Sequence, residues 1–203
     1  MVGRIADDED RASRSRRSVA IGFDVPSETT RARVASRREM PMPEVPADLR
    51  HPVAQELLHA AIPARLAYIG LDGNPRAVPI AFYWNGTDIV MATSPETPKT
   101  SALRVNPKVA LTIDTETQPP HVLLVRGTAS VEVVDGVPDE YLAASGKLVP
   151  DDQWAGFEAQ VRVTYDRMAK ITVTPTWAKV MDFETRAPAF LERRMRAMGE
   201  QAT

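Results

Sequence analysis

Residues 64–93 read ARLAYIGLDGNPRAVPIAFYWNGTDIVMAT. Three apolar runs stand out: 65–71 (RLAYIGL), 76–84 (RAVPIAFYW) and 88–93 (DIVMAT). The first is followed by Asp72-Gly73-Asn74, where Gly73 and Asn74 tolerate positive φ. The second is followed by Asn85-Gly86, a two-residue hairpin signal. Runs of this length joined by such turns predict a three-stranded antiparallel meander.

The pattern continues downstream. Residues 97–105 lose the alternation and suit a short helix around Leu103, stopped by Asn106-Pro107. Residues 109–114 (VALTID) form a further strand signal. Residues 122–134 (VLLVRGTASVEVV) are long enough to bend at Gly127, a bulge or close-approach position. Two helices follow, over 138–145 and 151–168. The second carries Trp154, Phe157, Val161, Tyr165 and Met168 as one apolar stripe at helical period, which reads as core packing. Residues 170–173 and 178–183 are the last strand signals, interrupted by Pro175. An amphipathic helix spans 189–198. Upstream, Pro52 opens a helix to about residue 61 that buries Val53, Leu57 and Leu58, and Pro63 ends it. About six strands with short turns and peripheral helices predict a mainly β fold, a closed or half-closed antiparallel barrel.

The chain has 203 residues, 43% hydrophobic and 26% charged, enough apolar material for one domain of ordinary size. Its net charge of −2 gives no global electrostatic case for nucleic acid. There is no apolar run long enough for a membrane span and no secretory leader pattern, so a cytoplasmic location is expected. The absence of Cys excludes disulfides, thiolate metal sites and cysteine nucleophiles. The basic residues are uneven, 20 Arg against 5 Lys. Residues 1–40 hold nine Arg and seven acids but few large apolar side chains. A segment of that kind cannot offset its chain entropy by burial, so residues 1–48 are expected to be a disordered Arg/Ser/Pro-rich tail. The barrel is expected over 49–185 and the C-terminal helix over 186–203. The Arg11, Arg14, Arg16, Arg17 cluster reads as a solvated extension sooner than as an anion-binding arm.

The usual catalytic signatures are missing. His51, His59 and His121 have no metal-ligand spacing, and no metal site is expected. No nucleophile elbow, Walker loop or dinucleotide fingerprint occurs. Asp151-Asp152 sits at a helix start, where a cap is its natural role. No residue can be named as catalytic. An enzyme without an evident acid, base or nucleophile leaves the chemistry to a cofactor, which directs attention to phosphate-binding features.

One such feature is present in residues 91–114, MATSPETPKTSALRVNPKVALTID. A strand ends in Thr93 and Ser94, and Lys99, Thr100 and Ser101 then open a short helix. An ammonium, hydroxyls and free backbone N–H groups at a helix start suit a phosphate. A solvated helix start with a capping hydroxyl has the same look.

Several pieces in order resemble the pyridoxamine-phosphate-oxidase-like family of flavin- and deazaflavin-binding split β-barrels. They are Ala64-Arg65-Leu66-Ala67, the Asp72-Gly73 turn, Pro75-Arg76-Ala77-Val78-Pro79-Ile80, the Lys99 loop, Leu103 with Asn106-Pro107-Lys108-Val109-Ala110, and Arg126-Gly127-Thr128-Ala129. The resemblance covers roughly residues 49–183. It implies a homodimer of split barrels with the cofactor in the groove between two chains. It implies that Lys99, Thr100 and Ser101 grip the cofactor phosphate. Arg76, Ala77, Val78, Pro79 and Ile80 would run beside the ring. Ala92, Thr93 and Ser94 would meet the ribityl side, and His121 or Val122 would supply a contact from a later strand.

Two departures keep the cofactor open. Many flavin-binding members carry Arg before the lysine, where this chain has Pro98. Many deazaflavin-binding members carry a basic residue and Asn after the Lys-Thr pair, where this chain has Ser101 and Ala102. The resemblance thus implies an FMN-dependent oxidoreductase passing hydride to a small conjugated, quinone-like or nitro-type acceptor. The alternatives are a reductase using the deazaflavin coenzyme F-420 and a non-catalytic flavin-binding module. The C-terminal substrate motifs of true pyridoxamine-phosphate oxidases are not evident.

Overall fold

The computed structural model describes residues 44–201, with side chains described through residue 198. The tail expectation therefore lies, up to residue 43, outside the described residues. The chain enters through a 3₁₀ turn, Ala47–Arg50, whose Leu49 is fully buried. Helix α1 (Pro52–His59) follows, started by Pro52 and capped by His51 Nδ1, which accepts from the Val53 N–H at 3.3 Å. Its buried residues are Ala54, Leu57 and Leu58.

Seven strands make one antiparallel sheet: β1 (Ala64–Ile69), β2 (Pro75–Ile80), β3 (Tyr83–Trp84), β4 (Ile89–Thr93), β5 (Lys108–Asp114), β6 (Val122–Asp135) and β7 (Arg167–Met181). The spatial order is β2-β1-β5-β6-β7-β4-β3, so β2 and β3 are edges and the barrel is split. The other helices are α2 (Pro98–Val105), α3 (Asp139–Gly146), α4 (Asp151–Thr164) and α5 (Ala189–Gln201). Inside the sheet lie Leu66, Ile89, Met91, Leu111, Ile113, Leu123 and Val173. Helix α2 packs on β1 and β6 and inserts Leu103 among them. Burying one such leucine contributes about 2 kcal/mol.

The expected meander is corrected. The run 76–84 is two strands that pair with different partners, β2 with β1 and β3 with β4. Val78, Ile80, Phe82 and Trp84 nevertheless all turn toward the core, so the alternation runs straight through the change of partner. A period-2 pattern reports which face is buried, not which strand lies alongside.

Two further expectations are corrected. Helix α4 stops at Thr164 rather than 168; Met168 belongs to β7 and is buried there. The aromatic stripe packs between the two helices: Trp154 lies 5.7 Å from Phe157, which stacks on Tyr141 at 6.5 Å. The last two strand signals are one 15-residue strand. Pro175 sits opposite Gly127, where the β6–β7 register shifts. A bulge leaves a residue outside the ladder, so a residue without an N–H costs little there.

Phe82 plugs one corner, 1% exposed. The Lys147 ammonium lies 3.8 Å from its ring centroid and donates to the Leu58 carbonyl at 3.4 Å. Burial pushes the Lys147 pKa down to about 8. Below pH 8 the folded and unfolded chains both carry this charge, and the cost of half-burying it is present in full. Between pH 8 and the ordinary lysine value of 10.5 the folded form holds fewer protons, so this group makes stability rise with pH. Urea midpoints compared between pH 7.5 and 10 are expected to rise more for the wild type than for Lys147→Met, which lacks the titrating group.

The end of β7 is locked to the chain entry. The Asp182 carboxylate accepts the backbone N–H groups of Glu184, Thr185 and Arg186 and the Thr185 hydroxyl. Burial pushes its pKa up, but these donors outweigh it and hold it well below the usual carboxylate range. Asp48 accepts from the Val180 N–H and pairs with Arg186, both at 3.2 Å.

Candidate functional site

The Lys99 loop is built by strand β4 running out into helix α2. Ser94 organises it: its carbonyl accepts from the Thr97 N–H at 3.2 Å and its hydroxyl from the Glu96 N–H at 3.3 Å. Thr100 is fully buried, its hydroxyl 2.7 Å from both the Pro95 and the Thr97 carbonyls. One hydroxyl proton serves these two acceptors, so Thr100 holds the loop's shape and has no donor left for a ligand. Ser101 is exposed. The Lys99 ammonium donates to Thr93 Oγ1 at 3.3 Å. Burial pushes its pKa below the ordinary lysine value. Strand β3 covers only Ile89 and Val90, so among the described residues the flank of β4 at Ala92 and Thr93 is free of a strand. The structure thus brings Thr93, Ser94 and Lys99 together. Ala92 has a buried side chain and offers its backbone only.

Strand β2 is an edge with an unusual donor pattern. The Gly70 N–H bonds to the Asn74 carbonyl at 2.8 Å, which sets the alternation of the β1–β2 ladder. Counting from that pair, residues 76, 78 and 80 bond to β1, and Pro75, Ala77 and Pro79 point their backbone outward. Prolines carry no N–H. Among the described residues this edge is unpaired, and it therefore offers three carbonyls and a single N–H, that of Ala77. Ala77 alone presents a donor and an acceptor side by side, the complement of an imide edge. Arg76 is held by Asp72 at 3.1 Å, and Asn74 and then Arg76 draw the Asp72 pKa down to about 2. A Cβ at Gly70 would lie 2.6 Å from Asp72 Oδ1, the end of an exposed side chain that would have to shift.

His121 and Val122 stand at the start of β6. His121 Nδ1 is 3.7 Å from Glu56 of α1, and the His121 N–H donates to Thr115 Oγ1 at 3.0 Å. Three strand spacings, about 14 Å, separate β6 from the β2 edge. The chain does not bring His121 or Val122 to the edge at Ala77. Among the described residues no cluster of His, Asp and Glu could hold a metal. No helix among them is long and apolar enough to cross a membrane.

Sequence reasoning missed the outer face of the barrel. Ala77, Ala67, Ala110 and Arg126 stand in one row across β2, β1, β5 and β6. The small side chains of Ala67 and Ala110 leave a trough of about 460 Å3, lined from β2 by Pro75 and Arg76. Its far end is walled by Arg126, whose guanidinium lies 4.5 Å from the Trp177 ring centroid. The signal was available: outward positions on consecutive strands are alanines, a pattern that appears only once the register is known.

The fold defines a split β-barrel, mainly β with peripheral helices. The sequence profile of the pyridoxamine 5'-phosphate oxidase family matches residues 51–171, and the chain belongs to that family. No curated protein matches it. Among solved structures, a conserved hypothetical protein from Mycobacterium tuberculosis superposes with a TM-score of 0.51 at 16% identity, covering 70% of this chain and 91% of that one. An F-420 reductase is similar with a TM-score of 0.48 at 24% identity, covering 62% and 94%. The general stress protein 26 of Bacillus anthracis is similar with a TM-score of 0.47 at 16% identity, covering 64% and 92%.

Proposed function

We propose that the protein is an oxidoreductase working through a bound flavin-type cofactor, FMN in the first reading, with a small conjugated, quinone-like or nitro-type acceptor. The observation that carries this is Lys99. Its ammonium is half-buried, burial lowers its pKa, and among the described residues no charge partner counters the shift. An uncompensated cation costs folding free energy, and such groups cluster where an anion comes to meet them. A cofactor phosphate is that anion. Thr93, Ser94 and Ser101 would share it, and Thr100 would keep the loop in shape. The Ala77 backbone would orient the ring through its imide edge. The cofactor supplies a two-electron carrier, so no side chain need be a nucleophile. Because His121 and Val122 lie three strands from the β2 edge, their part in the site requires a second copy, and we propose a homodimer with the cofactor between the chains.

One observation favours coenzyme F-420 as the second reading. Pro98 stands where a second cation would sit, and the Thr100 hydroxyl is already committed. A lone ammonium matches the single charge of a phosphodiester, as in the deazaflavin, better than the nearly double charge of a phosphomonoester. Cofactor-stripped protein should be titrated with FMN and with F-420 in parallel, with its mass followed by light scattering. One cofactor bound per chain in a dimer is expected. A folded dimer that binds neither overturns the function, and a monomer overturns the shared site.

A further inference from the structure

Lys147 is a half-buried amine that the proposed site does not use. It is the residue after helix α3, and its side chain reaches the last turn of α1, where Nζ donates to the Leu58 carbonyl at 3.4 Å. The ammonium also lies 3.8 Å from the ring centroid of Phe82. These are weak partners for a cation. The bond to the carbonyl is long, and a phenyl ring brings no full charge. Among the described residues no carboxylate lies within ion-pair distance of Lys147, whereas Lys170 meets Glu132 and Glu140, both at 3.7 Å. Burial therefore favours the free amine. At pH 8 about half of Lys147 is in that form, against about one part in three hundred of an ordinary lysine. The free amine is the nucleophilic form.

The surroundings that hold the ammonium suit an amide better. The Leu58 carbonyl asks for one N–H, and an acylated Nζ keeps one. The charge, the one part that burial penalises, is gone. Gly146 and Leu148, on either side of Lys147 in the chain, are exposed, so this end of α3 is open to a reagent from solvent. We propose that Lys147 is an acylation site that takes its acyl group directly from an activated donor, an acyl phosphate or a thioester. The Nζ lone pair attacks the donor's carbonyl carbon and forms the C–N bond. The bond from that carbon to the phosphate oxygen or the thiolate sulfur breaks, and the leaving group departs with its electron pair. The proton shed by the nitrogen passes to water, and nothing is oxidised or reduced. The product joins α1, α3 and Phe82 without a half-buried charge, and it is the more stable form of the fold.

The chain has five lysines, so one labelling reaction compares them all. Full-length protein at pH 8 is treated with acetyl phosphate in one arm and acetyl-coenzyme A in another, and each lysine is followed by peptide mass spectrometry. With at least one donor Lys147 is expected to react at least about fivefold faster than the exposed Lys108; its weaker basicity takes back the rest of its advantage in free amine. The arm that shows this lead names the donor class. In 8 M urea the lead should disappear. The second measurement is the thermal melt. Acetylation is expected to raise Tm by about 2 °C more in the wild type than in Lys147→Met treated alongside. A Lys147 that reacts no faster than Lys108 with either donor overturns the proposal. A lead that survives in urea also overturns it, since the neighbouring sequence and not the fold would then set the reactivity. Fast acetylation with a fall in Tm overturns it too, because the fold then rejects the acyl group.

Discussion

Lys99→Ala is expected to weaken cofactor binding about a hundredfold, about 3 kcal/mol, without destabilising the folded chain. The two halves of this expectation come from the same fact. Truncating one partner of a half-buried charge pair leaves the phosphate facing a poorly hydrated cleft, which accounts for the loss of affinity. In the cofactor-free protein the lysine meets no carboxylate among the described residues, only the Thr93 hydroxyl at 3.3 Å. Removing it then relieves the burial that lowers its pKa, so melting of the stripped protein should not move downward. Titration calorimetry with FMN and F-420, together with thermal melts of stripped protein, reads both. A variant that binds as tightly as wild type ends the phosphate assignment. A variant that loses binding and stability together makes Lys99 a structural residue.

Gly127→Ala is expected to be the most damaging small substitution, costing about 3 kcal/mol and lowering Tm by about 5–10 °C. A Cβ at residue 127 would lie 2.6 Å from the Thr174 carbonyl oxygen and 2.7 Å from Val173 Cγ1. The first neighbour is backbone and cannot turn aside. The longest ladder in the sheet, β6 with β7, would have to part where it already shifts register. Gly156→Ala is the control. Gly156 lies inside helix α4 with nothing near its Cβ position, so alanine there is expected to raise stability by about 0.5–1 kcal/mol. The same chemical change thus has opposite signs at two glycines, and differential scanning calorimetry on the pair tests it. A neutral Gly127→Ala would mean that β7 can shift away.

Much of the barrel was legible because alternation and turn chemistry are local. The Asp72-Gly73-Asn74 and Asn85-Gly86 turns, the helix stop at Asn106-Pro107 and the bend at Gly127 each follow from the residue concerned. What could not be read was partner choice. Phe82 keeps the alternation going while the chain leaves one sheet edge for the other, and nothing local marks the change. Pro175 misled for the complementary reason: it breaks a strand pattern only if its N–H would have met a partner, and the bulge opposite Gly127 removes that need. In the candidate site, the contact of Lys99 with Thr93 was within reach of the sequence because the two lie six residues apart. Thr100 was read as a phosphate ligand because a hydroxyl's partners do not appear in sequence. The row Ala77, Ala67, Ala110, Arg126 was missed because its members come from four strands and meet only through register.

The two prolines of β2 have a consequence for how the protein behaves in a crowded solution. An open sheet margin of extended, apolar chain is the natural seed for fibrous self-association, each new strand docking through the amide ladder of the last. Pro75 and Pro79 delete two of the three outward amides on this margin, and an incoming strand finds a ladder with most of its rungs gone. The margin can thus stay uncovered for a small flat molecule, which needs one rung, while refusing a polypeptide, which needs several.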